Sequence, residues 1–177
     1  MEHKYITFPQ GVACPLLGRQ EGELTIKRKG KCYMTKLYIA YGSNMDEEQM
    51  AYRCPDARVV STAIVESHRL LFKGGKDRAY ATIEPEEGSY VPVLIWEISR
   101  EDERRLDRYE GYPKFYYKKE LPVLVNGETR NAMVYIMDER KPQNKPSYNY
   151  YGILERAYIK YGFDDFILKR ALEESCP

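Results

Sequence analysis

Glu110 closes the run Leu106-Asp107-Arg108-Tyr109-Glu110-Gly111, at a point where a helix should end. A carboxylate there faces the negative end of the helix dipole, an arrangement unfavourable by about 0.3 to 1 kcal/mol where Lys, Arg or His would be preferred. The same field favours the protonated form, and a glutamate with a raised pKa suits general acid-base chemistry near neutral pH. The plain alternative is an exposed glutamate with no task. Asp107 and Glu103, one and two turns earlier on the same face, are rival carboxylates and read as solvated helix surface. A second candidate is Leu37-Tyr38-Ile39-Ala40-Tyr41-Gly42-Ser43-Asn44-Met45. Its first half reads as a buried strand, Gly42 permits a sharp turn, and Ser43 or Asn44 is placed to cap a helix running from Met45 toward Arg53. Backbone N–H groups at such a junction favour an anion such as a carboxylate. Ser43-x-x-Asp46 and Asn44-x-x-Glu47 also have capping-box spacing, which would account for the segment with no ligand. Ser43 does not read as a triad nucleophile, because no Gly-x-Ser-x-Gly surrounds it and no motif ties His3 or His68 to it.

Holding these residues falls mainly to strands. Residues 59–65 and 68–72 read as strands ahead of a turn at Lys73-Gly74-Gly75-Lys76, with further strands at 79–83 and 91–98. Ser99-x-x-Asp102 signals a helix over 101–108, with Leu106 and Tyr109 on its inner face and a stop at Gly111. Strands at about 116–125 and 129–137 flank the hairpin signal Asn126-Gly127. Tyr151, Leu154, Tyr158 and Tyr161, then Phe163, Ile167 and Ala171 beyond Gly162, form two helical stripes. Strands followed by paired terminal helices argue an α+β fold rather than a doubly wound sheet. His68 reads as a strand histidine with a satisfied ring, and His3 as part of the terminus.

The loop and the Glu110-Gly111 turn together resemble the gamma-glutamylcyclotransferase family, whose members carry a Tyr-Gly-Ser-Asn loop near the start of the domain and a catalytic glutamate in a Glu-Gly turn. Ala81-Thr82-Ile83, Val91-Pro92-Val93-Leu94-Ile95-Trp96, Ala132-Met133-Val134-Tyr135-Ile136-Met137 and the tail from Pro146-Ser147-x-x-Tyr150 to Tyr161-Gly162-Phe163 follow in the family's order. The resemblance covers about residues 36–172, which divides the chain into an N-terminal extension, 1–35, and a cyclotransferase-like domain, 36–177. It implies a small mixed, barrel-like sheet with flanking helices and a C-terminal helical pair. It also implies a cofactor-free, metal-free reaction in which the α-amine of a γ-glutamyl group attacks its own side-chain carbonyl, closing pyroglutamate and releasing an amino acid or amine. Glu110 would be the acid-base group. Gly42, Ser43 and Asn44 would hold the α-carboxylate or the oxyanion, Tyr41 would wall the site, and Tyr135 would donate to the substrate or simply pack in the sheet. Tyr38 and Ala40 complete the expected substrate-binding set.

The tail resembles the branch acting on γ-glutamyl amino acids, and Asn44 argues against glutathione-specific relatives. Three readings stay open beside that one: action on γ-glutamyl amines such as the isopeptide to lysine, removal of a γ-glutamyl protecting group during biosynthesis, and an inert module that binds γ-glutamyl or other small carboxylate ligands. In the extension, residues 5–8 and 23–27 read as short strands of an added arm or hairpin, with a floppy tail as the equal alternative.

Composition removes several rival classes. The 177 residues suit one domain with a real core. Lys and Arg number 28 against 27 Asp and Glu, with no long single-sign run, so no nucleic-acid partner is expected. Cys14, Cys32, Cys54 and Cys176 are scattered, which gives no zinc or redox spacing. No signal-peptide pattern and no run of about 20 apolar residues are present, so the sequence reads as cytoplasmic, with reduced thiols and no membrane insertion. The resemblance, not composition, implies a small γ-glutamyl substrate as the partner. Seventeen tyrosines exceed ordinary core needs; Tyr109, Tyr112, Tyr116 and Tyr117 cluster near Glu110, read first as packing, with a pocket wall or a homodimer surface as alternatives.

Overall fold

The computed structural model describes residues 23–28, 31–76 and 78–175. Among these residues six strands form one mixed sheet: β1 (Glu23–Arg28), β2 (Lys31–Ala40), β3 (Arg58–Gly75), β4 (Arg78–Ser99), β5 (Tyr116–Val125) and β6 (Glu128–Met137), in the order β3-β4-β2-β6-β5, with β1 paired to β2 off that path. Among the described residues four α-helices accompany it: α1 (Glu47–Arg53), α2 (Arg100–Glu110), α3 (Tyr148–Tyr161) and α4 (Asp165–Glu174). This is the α+β fold expected, including the C-terminal helical pair.

The centre of the sheet follows from composition. In β2, Leu37, Tyr38, Ile39 and Ala40 are all buried, as are Val91, Val93, Leu94, Ile95 and Trp96 of β4. Continuous apolar runs of this kind belong to strands covered on both faces. β2 pairs antiparallel with β4 and parallel with β6, Tyr38 opposite Met133, and that parallel step makes the sheet mixed. The edge strands β3 and β5 approach each other with no ladder between them, so the barrel-like sheet is not closed.

Two expected pairs of strands prove to be one long hairpin, β3 with β4. Register shifts between Val59 and Ser61 and between Glu66 and His68 absorb the irregularity, and Ser67 takes a positive φ of 54° at the second. The polar stretch from Glu84 to Tyr90, between two expected strands, stays within β4 as a bulge at residues 86–89, and its side chains hold a helix: Arg170 of α4 donates to Glu86 at 2.7 Å and to Ser89 at 3.3 Å. His68 is only half satisfied, with Nδ1 2.8 Å from the Glu66 carbonyl and a buried Nε2 that has no partner among the described residues. The Asn126-Gly127 turn is as predicted, both residues having positive φ.

β1 pairs with Lys31–Lys36 of β2, so the chain position where the extension was expected to end lies inside a continuous strand. The segment 5–8 falls outside the described residues. Among the described residues, no helix is long and apolar enough to cross a membrane.

The hairpin tip carries a strict backbone requirement. Gly74 has φ +136°, and a Cβ there would stand 2.9 Å from the Arg78 carbonyl oxygen. Gly74→Ala is expected to lower stability by about 2 kcal/mol or more, read as a shifted denaturation midpoint at unchanged slope. A midpoint within a few tenths of a kcal/mol of the parent would refute the strain.

Candidate active site

After Ala40 the chain passes through Tyr41 and Gly42 into a 3-10 turn, Ser43–Met45, closed by Met45 N–H to the Gly42 carbonyl at 3.0 Å. α1 is then capped by Asp46, which accepts the Gln49 N–H at 3.0 Å. The expectation that Ser43 or Asn44 caps this helix is therefore corrected. The intervening turn hands capping to Asp46 and leaves the Asn44 side chain free to face inward.

Asn44 is the hub of the site. Its Nδ2 donates to the Tyr38 hydroxyl at 2.7 Å and to Glu110 Oε1 at 2.8 Å. Its Oδ1 accepts from Arg53 Nη1 at 2.7 Å, and its carbonyl accepts from Trp96 Nε1 at 3.0 Å. A guanidinium can only donate, so Arg53 fixes which end of the amide faces the carboxylate. Arg53 is itself held by Gln49 and lies 3.9 Å over the Tyr109 ring, whose hydroxyl is 3.4 Å from Ser43 Oγ.

Glu110 is the last residue of α2. The helix begins with the expected reciprocal capping of Ser99 and Asp102 and stops at Gly111 with φ 65°. Burial pushes the Glu110 carboxyl up to about 7, while the Asn44 hydrogen bond and the Arg53 charge pull it down. Desolvation is thus the leading cause of the shift, in place of the helix-end field that singled the residue out in sequence.

Seven of the eight expected positions share one cavity of about 30 Å³: Glu110, Tyr38, Tyr41, Gly42, Ser43, Asn44 and Tyr135. Ala40 does not line it and packs into the core. Tyr135 lines the cavity, but its hydroxyl donates to Asp107 Oδ1 at 2.6 Å rather than standing free for a substrate. Asp107 and Glu103 are not solvated helix surface: Lys118 binds them at 2.7 and 2.6 Å, and Lys36 binds Glu103 at 3.1 Å. Of the four tyrosines near Glu110 only Tyr116 reaches the cavity. Tyr109 and Tyr112 are exposed, and Tyr117 bonds Glu139.

Tyr150, Ala81 and Arg53 were named in sequence but not expected at the site. Tyr150 enters from the first turn of α3, its N–H bound to the Ser147 cap at 3.2 Å, and its hydroxyl accepts the Ala81 N–H at 3.1 Å. Ser147-x-x-Tyr150 was a visible spacing, whereas nothing in sequence ties Arg53 to a loop one helix away.

Chemically, the arrangement offers a carboxyl half ionised near pH 7, an amide that holds its charged form, and a wall of tyrosine hydroxyls. The family model described as gamma-glutamyl cyclotransferase, AIG2-like, matches residues 38–153. A solved structure titled gamma-glutamyl cyclotransferase superposes with TM-score 0.67 at 24% identity, covering 77% of this chain and 86% of that one. An uncharacterized protein from Homo sapiens gives 0.66 at 25% identity with the same coverages. Among curated proteins, imidazolonepropionase of Staphylococcus saprophyticus is 30% identical over 93 residues, 51% of this chain; the match spans only 23% of that protein's length.

Proposed function

Because the chain belongs to the gamma-glutamyl cyclotransferase, AIG2-like family, we propose that it cyclises a γ-glutamyl group to pyroglutamate and releases the attached amino acid or amine. The observation that carries this reading is the Glu110 carboxyl, buried beside Asn44 with its pKa raised to about 7. A base poised at the working pH can take a proton and return it.

In the reaction the unprotonated α-amine attacks the γ-carbonyl carbon. A C–N bond forms, the carbonyl π pair moves to oxygen, and Glu110 takes the proton released by the nitrogen. The bond to the departing nitrogen then breaks as the oxygen pair returns, and Glu110 delivers its proton to that nitrogen. Atoms and charges balance with no external reactant. General acid-base help of this kind contributes about 10² to 10⁴ in rate, and holding the chain curled for attack contributes further.

The test is pyroglutamate release from γ-glutamyl-alanine, the γ-glutamyl-lysine isopeptide and glutathione. Turnover of one identifies the leaving group, with the γ-glutamyl amino acid expected first. Silence on all three, with ligand retained in equilibrium dialysis, would replace the enzyme by a binding module.

A further inference from the structure

A second hollow shares no lining residue with the Glu110 cavity. It is a cleft of about 1140 Å³ lined by the unpaired edges of β3 and β5 and by the turn from α3 to α4, residues 161–164. Ile64, Leu124 and Phe163 line it, and the first two are 51% and 62% exposed, so apolar surface stands open to water there. The charged groups of the lining are all acidic. Glu66 and Asp164 belong to it together with His68, and no Lys or Arg does. The backbone at the His68 end is unusual: Ser67 stands opposite the bulge at residues 86–89 and takes φ 54°, a left-handed conformation that costs a residue other than glycine free energy and recurs at functional sites. His68 Nδ1 lies 2.8 Å from the Glu66 carbonyl. A carbonyl only accepts, so Nδ1 carries the proton, and in the neutral ring Nε2 is left with a lone pair. That nitrogen is buried and has no partner among the described residues. A buried acceptor without a donor is destabilising, and a donor entering the cleft would satisfy it.

We propose that this cleft is a second binding site, for a small amphipathic amine: an organic ammonium ion that donates to His68 Nε2 and lays its apolar tail along Ile64, Leu124 and Phe163. The ligand class follows from the lining. An anion would meet two carboxylates and no cation. A purely apolar molecule would leave Nε2 unpaired. An ammonium group carries three donors and no acceptor, so it matches an imidazole lone pair with carboxylates on the same walls. Asp164 commits Oδ1 to the Phe166 N–H at 3.0 Å as the cap of α4, which holds that wall in place. Small-molecule sites span roughly 300 to 1,000 Å³, so the cleft leaves ample room for the tail. None of its residues takes part in the chemistry assigned to Glu110, and the inference goes beyond the cyclotransferase reading without resting on it.

The experiment titrates isotope-labelled full-length protein at pH 8 with 4-phenylbutylamine and, in parallel, with 4-phenylbutanol and 4-phenylbutyrate, which keep the tail and change the polar end. The amine is expected to saturate, to shift the Ile64 and Leu124 methyl signals and the His68 Nε2 resonance, and to bind more tightly than the alcohol, with the acid weakest. His68→Phe keeps a flat ring and removes the lone pair; it should weaken the amine by about 10- to 100-fold. Glu66→Gln should narrow the preference for amine over alcohol by about two- to fivefold. Equal binding of amine and acid in wild type would reveal an unselective apolar surface and overturns the proposal, even where a variant fails to fold. So does the absence of saturable shifts in the cleft, and so do shifts confined to the Glu110 cavity, where an amine product would sit. Because the readout is binding, a protein that releases no pyroglutamate would overturn the cyclotransferase reading and leave this result standing.

Discussion

Replacing Glu110 by glutamine is expected to abolish turnover and, above pH 7, to make the protein more stable. The activity loss follows from the proton transfers assigned to the carboxyl, about 10² to 10⁴ in kcat. The stability gain follows from linkage. The folded carboxyl has its pKa raised to about 7 from the ordinary glutamate value of 4.5, so between those values the folded state binds more protons than the unfolded chain. Stability therefore falls as pH rises across that window, and the full cost of a buried anion is present above it. The shift amounts to roughly 3 kcal/mol at 1.36 kcal/mol per unit. Glutamine mimics the neutral acid and keeps an acceptor for Asn44 Nδ2. The variant should match wild type near pH 4.5 and exceed it by about 2 to 3 kcal/mol at pH 8, or roughly 5 to 10 °C in Tm. Melting curves at the two pH values decide the matter, and a variant less stable than wild type at pH 8 would show that burial does not strain this carboxyl.

That trade between activity and stability was half visible in the sequence. Glu110 drew attention because a carboxylate at a helix end is misplaced, and the helix does end there, capped at both ends as its residues specify. The decisive desolvation comes from tyrosines distributed over β2, β5, β6 and α3, a convergence that no local pattern encodes. Local rules also erred where two competed. Ser43, Asn44 and Asp46 all had capping side chains, and only the 3-10 turn, with its bond from Met45 to Gly42, decides that Asp46 caps. Tyr135, expected to donate to a substrate or to pack in the sheet, lines the cavity while its proton goes to Asp107, a residue dismissed as solvated because helix periodicity cannot see Lys118 arriving from β5. The long hairpin was read as four strands because bulges and a polar middle mimic turns; the register jumps from Glu66 opposite Tyr90 to His68 opposite Pro85, leaving residues 86–89 as a bulge, and pairing resumes on either side of it.

Asn44→Ala carries the second large expected effect, and its logic is the converse of the first. One substitution removes the hydrogen bonds to Tyr38, Glu110 and Arg53 together. Net loss should reach about 2 to 4 kcal/mol, because polar groups are left behind without partners at a site closed from water. Catalysis suffers separately. The Asn44 bond is the first of the two influences that hold the Glu110 pKa down, so its loss raises that pKa and leaves less of the base form at pH 7. The basic-form limb of kcat/KM should move to higher pH, and activity at pH 7 should recover in part at pH 8.5. A limb that stays put or moves to lower pH would mean that Asn44 does not hold the ionised carboxylate. Combining the change with Glu110→Gln separates charge from shape. In the glutamine background no anion remains to be stabilised, so the stability cost of Asn44→Ala at pH 8 should shrink by about the worth of one charge-assisted hydrogen bond, roughly 1.5 to 3 kcal/mol. If the two costs simply add, Asn44 serves the loop and not the base.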